Sequence, residues 1–235
     1  MNQALESVVS QKLEDRIWLP PKPSRAERKI PRKSKNHFVG ELTFGEELGQ
    51  GQTIGFESLL EHNICLIGIY RPGVVDIREQ VKTVFSKANG RTGNHFIDYV
   101  TIEEGKRRTG IIVKPEYKAV QTKFRDHVSR VAAAAIPSVV DRVVVATERV
   151  FDPLRLARVE QFHASRFAQP VFDNAVKRAL KNFDGRSSIR DFLEIAGVGT
   201  DGFHAVVRMV RFNLLKTLVP GLITLSSAIQ VPEEI

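Results

Sequence analysis

Asp98 and Lys114 are the residues whose types and spacing point to chemistry. Residues 94–115 (NHFIDYVTIEEGKRRTGIIVKP) read as two short strands joined by a turn at Glu103–Lys106. In the first strand Phe96, Asp98 and Val100 fall on one face, and His95, Ile97 and Tyr99 on the other. Strands are depleted in aspartate, and burying its charge is costly, so a carboxylate at Asp98 asks for a functional reason. An antiparallel return sets Asp98 nearly opposite residues 111–113 in either of two adjacent registers, with Lys114 a few residues away. A strand carboxylate with a lysine on the next strand is the outline of a metal-dependent nuclease site. His95, on the face away from Asp98, reads as structural.

The elements that must position these residues follow from pattern. Residues 44–55 are rich in glycine, but no strand clearly precedes them and no Gly-Lys-Ser/Thr follows, so a loop entering a helix is expected rather than a phosphate loop. That helix runs from about Gly55 to Leu66, with Phe56, Leu59, Leu60, Ile64 and Ile67 at helical spacing. Glu57 and Glu61 share a face at the edge of the apolar stripe and read, on pattern alone, as surface acids. A Pro-Gly turn precedes the short apolar run Val74–Ile77. An amphipathic helix over Tyr117–Ala135 is expected after the hairpin, then a buried strand at Arg142–Thr147. Helix, three strands, helix, strand is an α/β core with a mixed sheet.

A 42% apolar share supports a packed core within 235 residues, enough for one large domain or two small ones. No apolar run is long enough to span a bilayer, and the N-terminus lacks the apolar centre of a signal peptide. The single cysteine, Cys65, sits among apolar residues as a small buried hydrophobe and excludes an intrachain disulfide framework, which fits a reducing cytoplasm. A net charge of +8 points to an anionic partner, nucleic acid before a membrane surface.

The excess charge is concentrated. Between Lys22 and Lys35 seven basic residues face one acid, Glu27, and prolines at 20, 21, 23 and 31 interrupt any helix. An extended, mobile arm is expected, with Arg28, Lys29, Arg32 and Lys33 as DNA-phosphate contacts and a solvated linker as the alternative. Residues 1–19 could form a short helix carrying Leu5, Val8, Val9 and Leu13, with Trp18 as an anchor.

The C-terminal third has another texture. A connecting helix (Asp152–Arg166) leads to helices over Pro170–Phe183, Ser188–Ala196 and Gly202–Phe212, and then to a hairpin of Leu214–Val219 and Leu222–Ser226 around Pro220-Gly221. That is the winged-helix order. Its reading helix would present His204, Arg208 and Arg211 to DNA, or dock a partner protein. The implied domains are 1–40 (an N-terminal segment with the basic arm), 41–166 (the catalytic core) and 167–235 (the winged helix).

From about residue 40 onward, SLLE (58–61), GVVDIREQ (73–80), FIDYV (96–100), IIVKP (111–115) and VVVATE (143–148) occur in an order that resembles the TnsA-type transposon-end endonucleases. The resemblance implies a restriction-endonuclease-like fold and cleavage of the 5′ ends of a mobile element. It also implies work beside a transposase subunit and an AAA+ regulator, in the bacterial cytoplasm at the nucleoid. DIREQ and VKP with the carboxylates at this spacing are the specific part; a lone D…xVK would not be.

Carried over by position, the resemblance makes Glu61, Asp98 and Lys114 the catalytic residues. Mg²⁺ (or Mn²⁺) would be held by Asp98, by Glu61 and by the carbonyl of Val113, and Lys114 would orient the attacking water or stabilise the phosphorane. One position departs: where the family has Gln or Glu two residues before the lysine, this chain has Ile112, which supplies no side-chain oxygen. The alternative reading is therefore a nuclease fold with weak or lost chemistry, kept as a DNA-binding or assembly module.

Overall fold

The computed structural model describes residues 20–31, 33, 35, 38–45, 50–150 and 152–232. The helix expected over 1–19, the arm residue Arg32 and part of the glycine-rich stretch lie outside them. Two compact units emerge: one of residues 22–44 and 52–160, the other centred on 161–232. Residues 22–40 thus belong with the first unit rather than forming a segment of their own, and the division after the core falls inside a helix, at 160/161.

The first unit is an α/β fold with a mixed four-stranded sheet. Strand β1 (Gly40–Phe44) pairs antiparallel with β2 (Gln52–Phe56). Helix α1 (Leu59–Ile69) follows, and then β3 (Val74–Ser86), β4 (Thr92–Glu103) and β5 (Arg108–Val113) form an antiparallel meander. The short α2 (Glu116–Ala119) and α3 (Thr122–Ala135) then cross over to β6 (Arg142–Ala146), which joins β5 in parallel. The connection obeys the rule that parallel neighbours need a helical crossover.

Four expectations change here. The glycine-rich stretch links a β-hairpin, so a strand does precede it; Gly55 and Phe56 end the second strand rather than starting the helix, and Phe56 is buried there. The helix begins only after Ser58, whose hydroxyl accepts the Glu61 N–H at 3.1 Å. The apolar run at Val74 opens a 13-residue strand, because the polar residues beyond Ile77 pair with β4 along its length. The helix expected over Tyr117–Ala135 breaks at Gln121, whose backbone is extended (ψ 131°).

Two buried clusters of this unit pack against α3: Val81, Ile97, Val100, Ala135 and Val140 form one, and Phe85, Ile112 and Val131 the other. Each fully buried aliphatic or aromatic side chain contributes about 1.5–3 kcal/mol through removal from water. Cys65 is buried in α1, and burial pushes its thiol pKa up, away from nucleophilic use.

The second unit comprises the end of α4 (Pro153–Ala164), α5 (Pro170–Leu180), β7 (Arg186–Ser188), α6 (Ile189–Ile195), α7 (Phe203–Arg211), β8 (Lys216–Thr217) and β9 (Ala228–Gln230). Its sheet order is β7-β9-β8, all antiparallel. The expected hairpin is displaced: 222–226 carries no strand, and its partner role falls to Ala228–Gln230. Ile189, Phe192, Leu193, Val206, Val207 and Ile229 are fully buried in a core of its own.

Candidate active site: two carboxylates around strand β4

Strand β4 carries Asp98 into the middle of the sheet, between β3 and β5. The β4–β5 register pairs Tyr99 with Ile111 and Val100 with Gly110, so Asp98 falls opposite Ile112, inside the expected window. Its Oδ2 accepts the backbone N–H of Val113 at 2.7 Å. The N–H and C=O of one strand residue leave by the same edge, so the Val113 carbonyl is on the Asp98 side. Lys114 follows directly; its own N–H turns the other way, to the Ala146 carbonyl of β6 at 3.0 Å.

Strict alternation along β4 fails at Asp98. Ile97 and Val100 share one cluster with Ala135 and Val140, whereas Tyr99 reaches the β2 carbonyl of Gly55 at 3.3 Å. His95 packs against α3, with its Nδ1 3.2 Å from Nε2 of His127. Ile97 and Tyr99 therefore do not share the face that simple alternation assigns them. Opposite this break, Gln80 on β3 has a φ of 50°, a left-handed conformation uncommon for any residue but glycine.

Glu61 comes to the site from the first turn of α1. Its carboxylate accepts the Glu57 N–H at 2.8 Å and the Ser58 hydroxyl at 3.2 Å, while Ser58 caps the Glu61 N–H. This is a variant of the capping box, with Glu61 reaching back to the N–H of Glu57, one residue before the Ser58 cap, and Ser-x-x-Glu in SLLE is the sequence signature. The box orients the carboxylate and leaves lone pairs to spare. Burial, above all, raises the Glu61 pKa, with the Glu57 charge adding to it and the hydrogen bonds opposing it. Glu61 is thus no solvated surface acid.

Asp98 is pushed further. Burial raises its pKa to about 7, the Val113 N–H opposes this, and the Glu61 charge raises it again. Two acids from different elements are close enough for one to hinder the ionisation of the other, with the Lys114 charge opposing. The Lys114 ammonium itself lies 5.8 Å from the Phe124 ring centre.

Ile112 contributes nothing polar. It is 2% exposed and sealed between Phe85 and Val131. Among the described residues, no group of three or more His, Cys, Asp or Glu is placed to hold a metal. What stands at the site is two carboxylates and a backbone carbonyl. That donor set fits a hard cation such as Mg²⁺, which is bound through one or two carboxylates while water completes its octahedron.

The basic arm is not the free strand that its prolines and charges suggest. The Lys22 carbonyl accepts the Thr53 N–H at 3.0 Å, and Arg25 forks onto Asp76 at 2.6 and 3.0 Å. Arg28 clasps the Glu57 carboxylate, donates Nε to the Gln80 amide oxygen at 2.7 Å, and lies 5.8 Å from the Phe96 ring centre. The acids that tie the segment down are distant in sequence, which is why its local composition reads as solvated. Lys29 and Lys33 are exposed, and Lys29 lines a cavity of about 610 Å³ with Ser24, Ile30, Glu41 and Gly55.

In the second unit Arg208 is not a DNA reader. It is 4% exposed, and its guanidinium is consumed by Asp173 (2.7 Å), the Ser165 carbonyl (2.7 Å) and Gln169 (3.1 Å). Helical spacing turned it inward against α5, where it neutralises the buried Asp173. Arg211 lies with its guanidinium 5.1 Å from the Phe212 ring centre, and the exposed His204 meets the Ser165 hydroxyl at 2.8 Å.

Gln80, Arg28 and Glu57 are the polar groups around the carboxylates that sequence reasoning missed as a set. The one available signal was the Glu79-Gln80 doublet inside a strand, a buried polar pair that needs partners. No protein-family model matches the chain, and no curated protein matches it either.

Proposed function

We propose that the chain is a TnsA-type, metal-dependent DNA endonuclease that cuts the 5′ strands at transposon ends. In this reading the first unit is a restriction-endonuclease-like core and the second a winged-helix domain. One observation carries it: Asp98, on a central strand, is held by the N–H of the residue before Lys114 and feels the charge of Glu61 arriving from α1. A purely structural acid has no need of a second buried carboxylate beside it, since burying like charges together is unfavourable.

Asp98 and Glu61 would hold Mg²⁺, or Mn²⁺ in its place, with the Val113 carbonyl beside them. The bound cation supplies Lewis-acid polarisation of the phosphate and an acidified water. Glu61 is oriented by its cap, and Asp98 by the Val113 N–H, so neither needs to reorganise on binding. Lys114 brings its ammonium to the phosphate oxygen that gains charge. The exposed Lys29 and Lys33, rather than the engaged Arg28, are suited to contact DNA phosphates, with Arg211 as a contact from the second unit. Partners in this reading are duplex DNA at the element's ends, a transposase subunit and an AAA+ regulator, in the cytoplasm. No helix among the described residues is long and apolar enough to cross a membrane.

A second reading, an assembly module with weak chemistry, is favoured by Ile112, which is sealed in the core where a relative would offer an oxygen. Nicking of element-end DNA with Mg²⁺ or Mn²⁺, with the transposase present, separates the two. Wild type should nick and Asp98→Ala should not; equal activity would sink the nuclease assignment.

A further inference from the structure

Arg28 touches the supports of both acids at once. Its Nε donates to the Gln80 Oε1 at 2.7 Å, which fixes the amide so that Gln80 Nε2 faces Asp98 Oδ1 at 3.4 Å. Its two terminal nitrogens clasp Glu57, and the Glu57 backbone N–H donates to Glu61 Oε2 at 2.8 Å. One guanidinium therefore reaches Asp98 through Gln80 and Glu61 through Glu57.

Gln80 sits in an unusual state for this. It is 1% exposed, lies mid-strand, and has the left-handed φ of 50°. Such backbone conformations are strained and persist where surrounding contacts over-determine them. The contacts are present: the Gln80 carbonyl accepts the Glu27 N–H at 3.2 Å, and its side chain is held by Arg28 on one side and Asp98 on the other. The segment 25–28 is thus docked on the residue where β3 departs from regular geometry.

We infer that Arg28 and Gln80 are positioning residues for the Asp98–Glu61 cation site, so that the docked basic segment organises the centre instead of serving only as a DNA contact. This rests on the nuclease reading above. Only arginine can do it: the planar fork meets a carboxylate side-on while Nε remains for a third acceptor, and a lysine ammonium cannot reproduce both. Gln80 has an equally specific task, because it must accept from Arg28 and donate to Asp98 at the same time.

Two measurements on the full chain test this. The first is Mn²⁺ binding followed by electron paramagnetic resonance, without DNA. Outer contacts to metal ligands commonly set affinity by 10- to 100-fold, so Gln80→Met and Arg28→Lys should each weaken Mn²⁺ binding by about tenfold. Arg25→Ala, which removes the neighbouring Asp76 pair of the same segment, should leave it within about twofold. Unchanged affinity in Gln80→Met and Arg28→Lys, or an equal loss in Arg25→Ala, would overturn the assignment. The second is a metal-free double-mutant cycle of Arg28→Ala with Asp98→Asn, read by urea unfolding. The relay predicts that the double variant's unfolding constant departs at least about threefold from the product of the single effects, whereas independent sites multiply. Coupling without Mn²⁺ binding by the wild type would leave the contact chain standing and remove the nuclease reading; simple multiplication would remove the contact chain itself.

Discussion

The Val113 N–H donates to Asp98 Oδ2 at 2.7 Å, so the residue before Lys114 fixes the carboxylate across the β4–β5 ladder. The bond ties the lysine's position to the acid's through one covalent step. It also stabilises the ionised form of Asp98, yet burial outweighs it and the pKa lies near 7.

Asp98 therefore weakens the fold when charged. Its carboxyl titrates at about 7 in the folded chain against 3.8 in the unfolded one, so the folded state binds more protons in that window. Stability falls as pH rises from about 4 to 7 through this group, and stays lower above it. Asp98→Asn should flatten that part of the curve and raise metal-free stability at pH 8 by about 2 kcal/mol, while abolishing nicking. Urea unfolding at pH 5 and pH 8 checks this; a variant less stable than wild type at pH 8 would contradict it.

His95 acts in the opposite sense. Burial first, then the His127 and Lys114 charges, hold its pKa near 4, below the ordinary 6.5. The unfolded state binds more protons between those values, so stability is lost as pH falls through that window. With solvent screening, the loss traceable to His95 is about 1–2 kcal/mol. His95→Gln should reduce the acid sensitivity measured between pH 6.5 and pH 4.5.

Restoring an oxygen at Ile112 should not repair the site. Its side chain is packed with Phe85 and Val131, so Ile112→Gln buries an amide among apolar groups. A loss of about 2–4 kcal/mol is expected, with no gain in Mn²⁺ affinity. A stable variant that binds Mn²⁺ more tightly would show that the position opens onto the cation site.

Arg208→Ala should destabilise the second unit by about 3–5 kcal/mol, because Asp173 is left buried without its partner. DNA affinity measured well below the melting temperature should be unchanged. A selective loss of DNA binding with the fold intact would return Arg208 to the surface role that helical spacing suggests.

The hairpin was legible because its signals are local: strand alternation, an EEGK turn and an aspartate where strands avoid one. Asp98 and the 111–113 window follow from these alone. Glu61 was not, since helical spacing places it at a stripe's edge and only the cap and the sheet behind it bury the carboxylate. Arg28 and Arg208 were misread for one reason, that a charged residue's exposure depends on an acid remote in sequence: Glu57 is 29 residues from Arg28, and Asp173 is 35 from Arg208. The break in alternation at Asp98 depends on the Gln80 backbone of the neighbouring strand, which no pattern along β4 contains.

The most direct test is anomalous diffraction from a crystal soaked in Mn²⁺. The nuclease account predicts a peak between the Asp98 and Glu61 carboxylates, with the Val113 carbonyl in its coordination sphere, and no such peak in Asp98→Asn. Fully soaked crystals with no manganese at that position, or the same peak retained in Asp98→Asn, would contradict it.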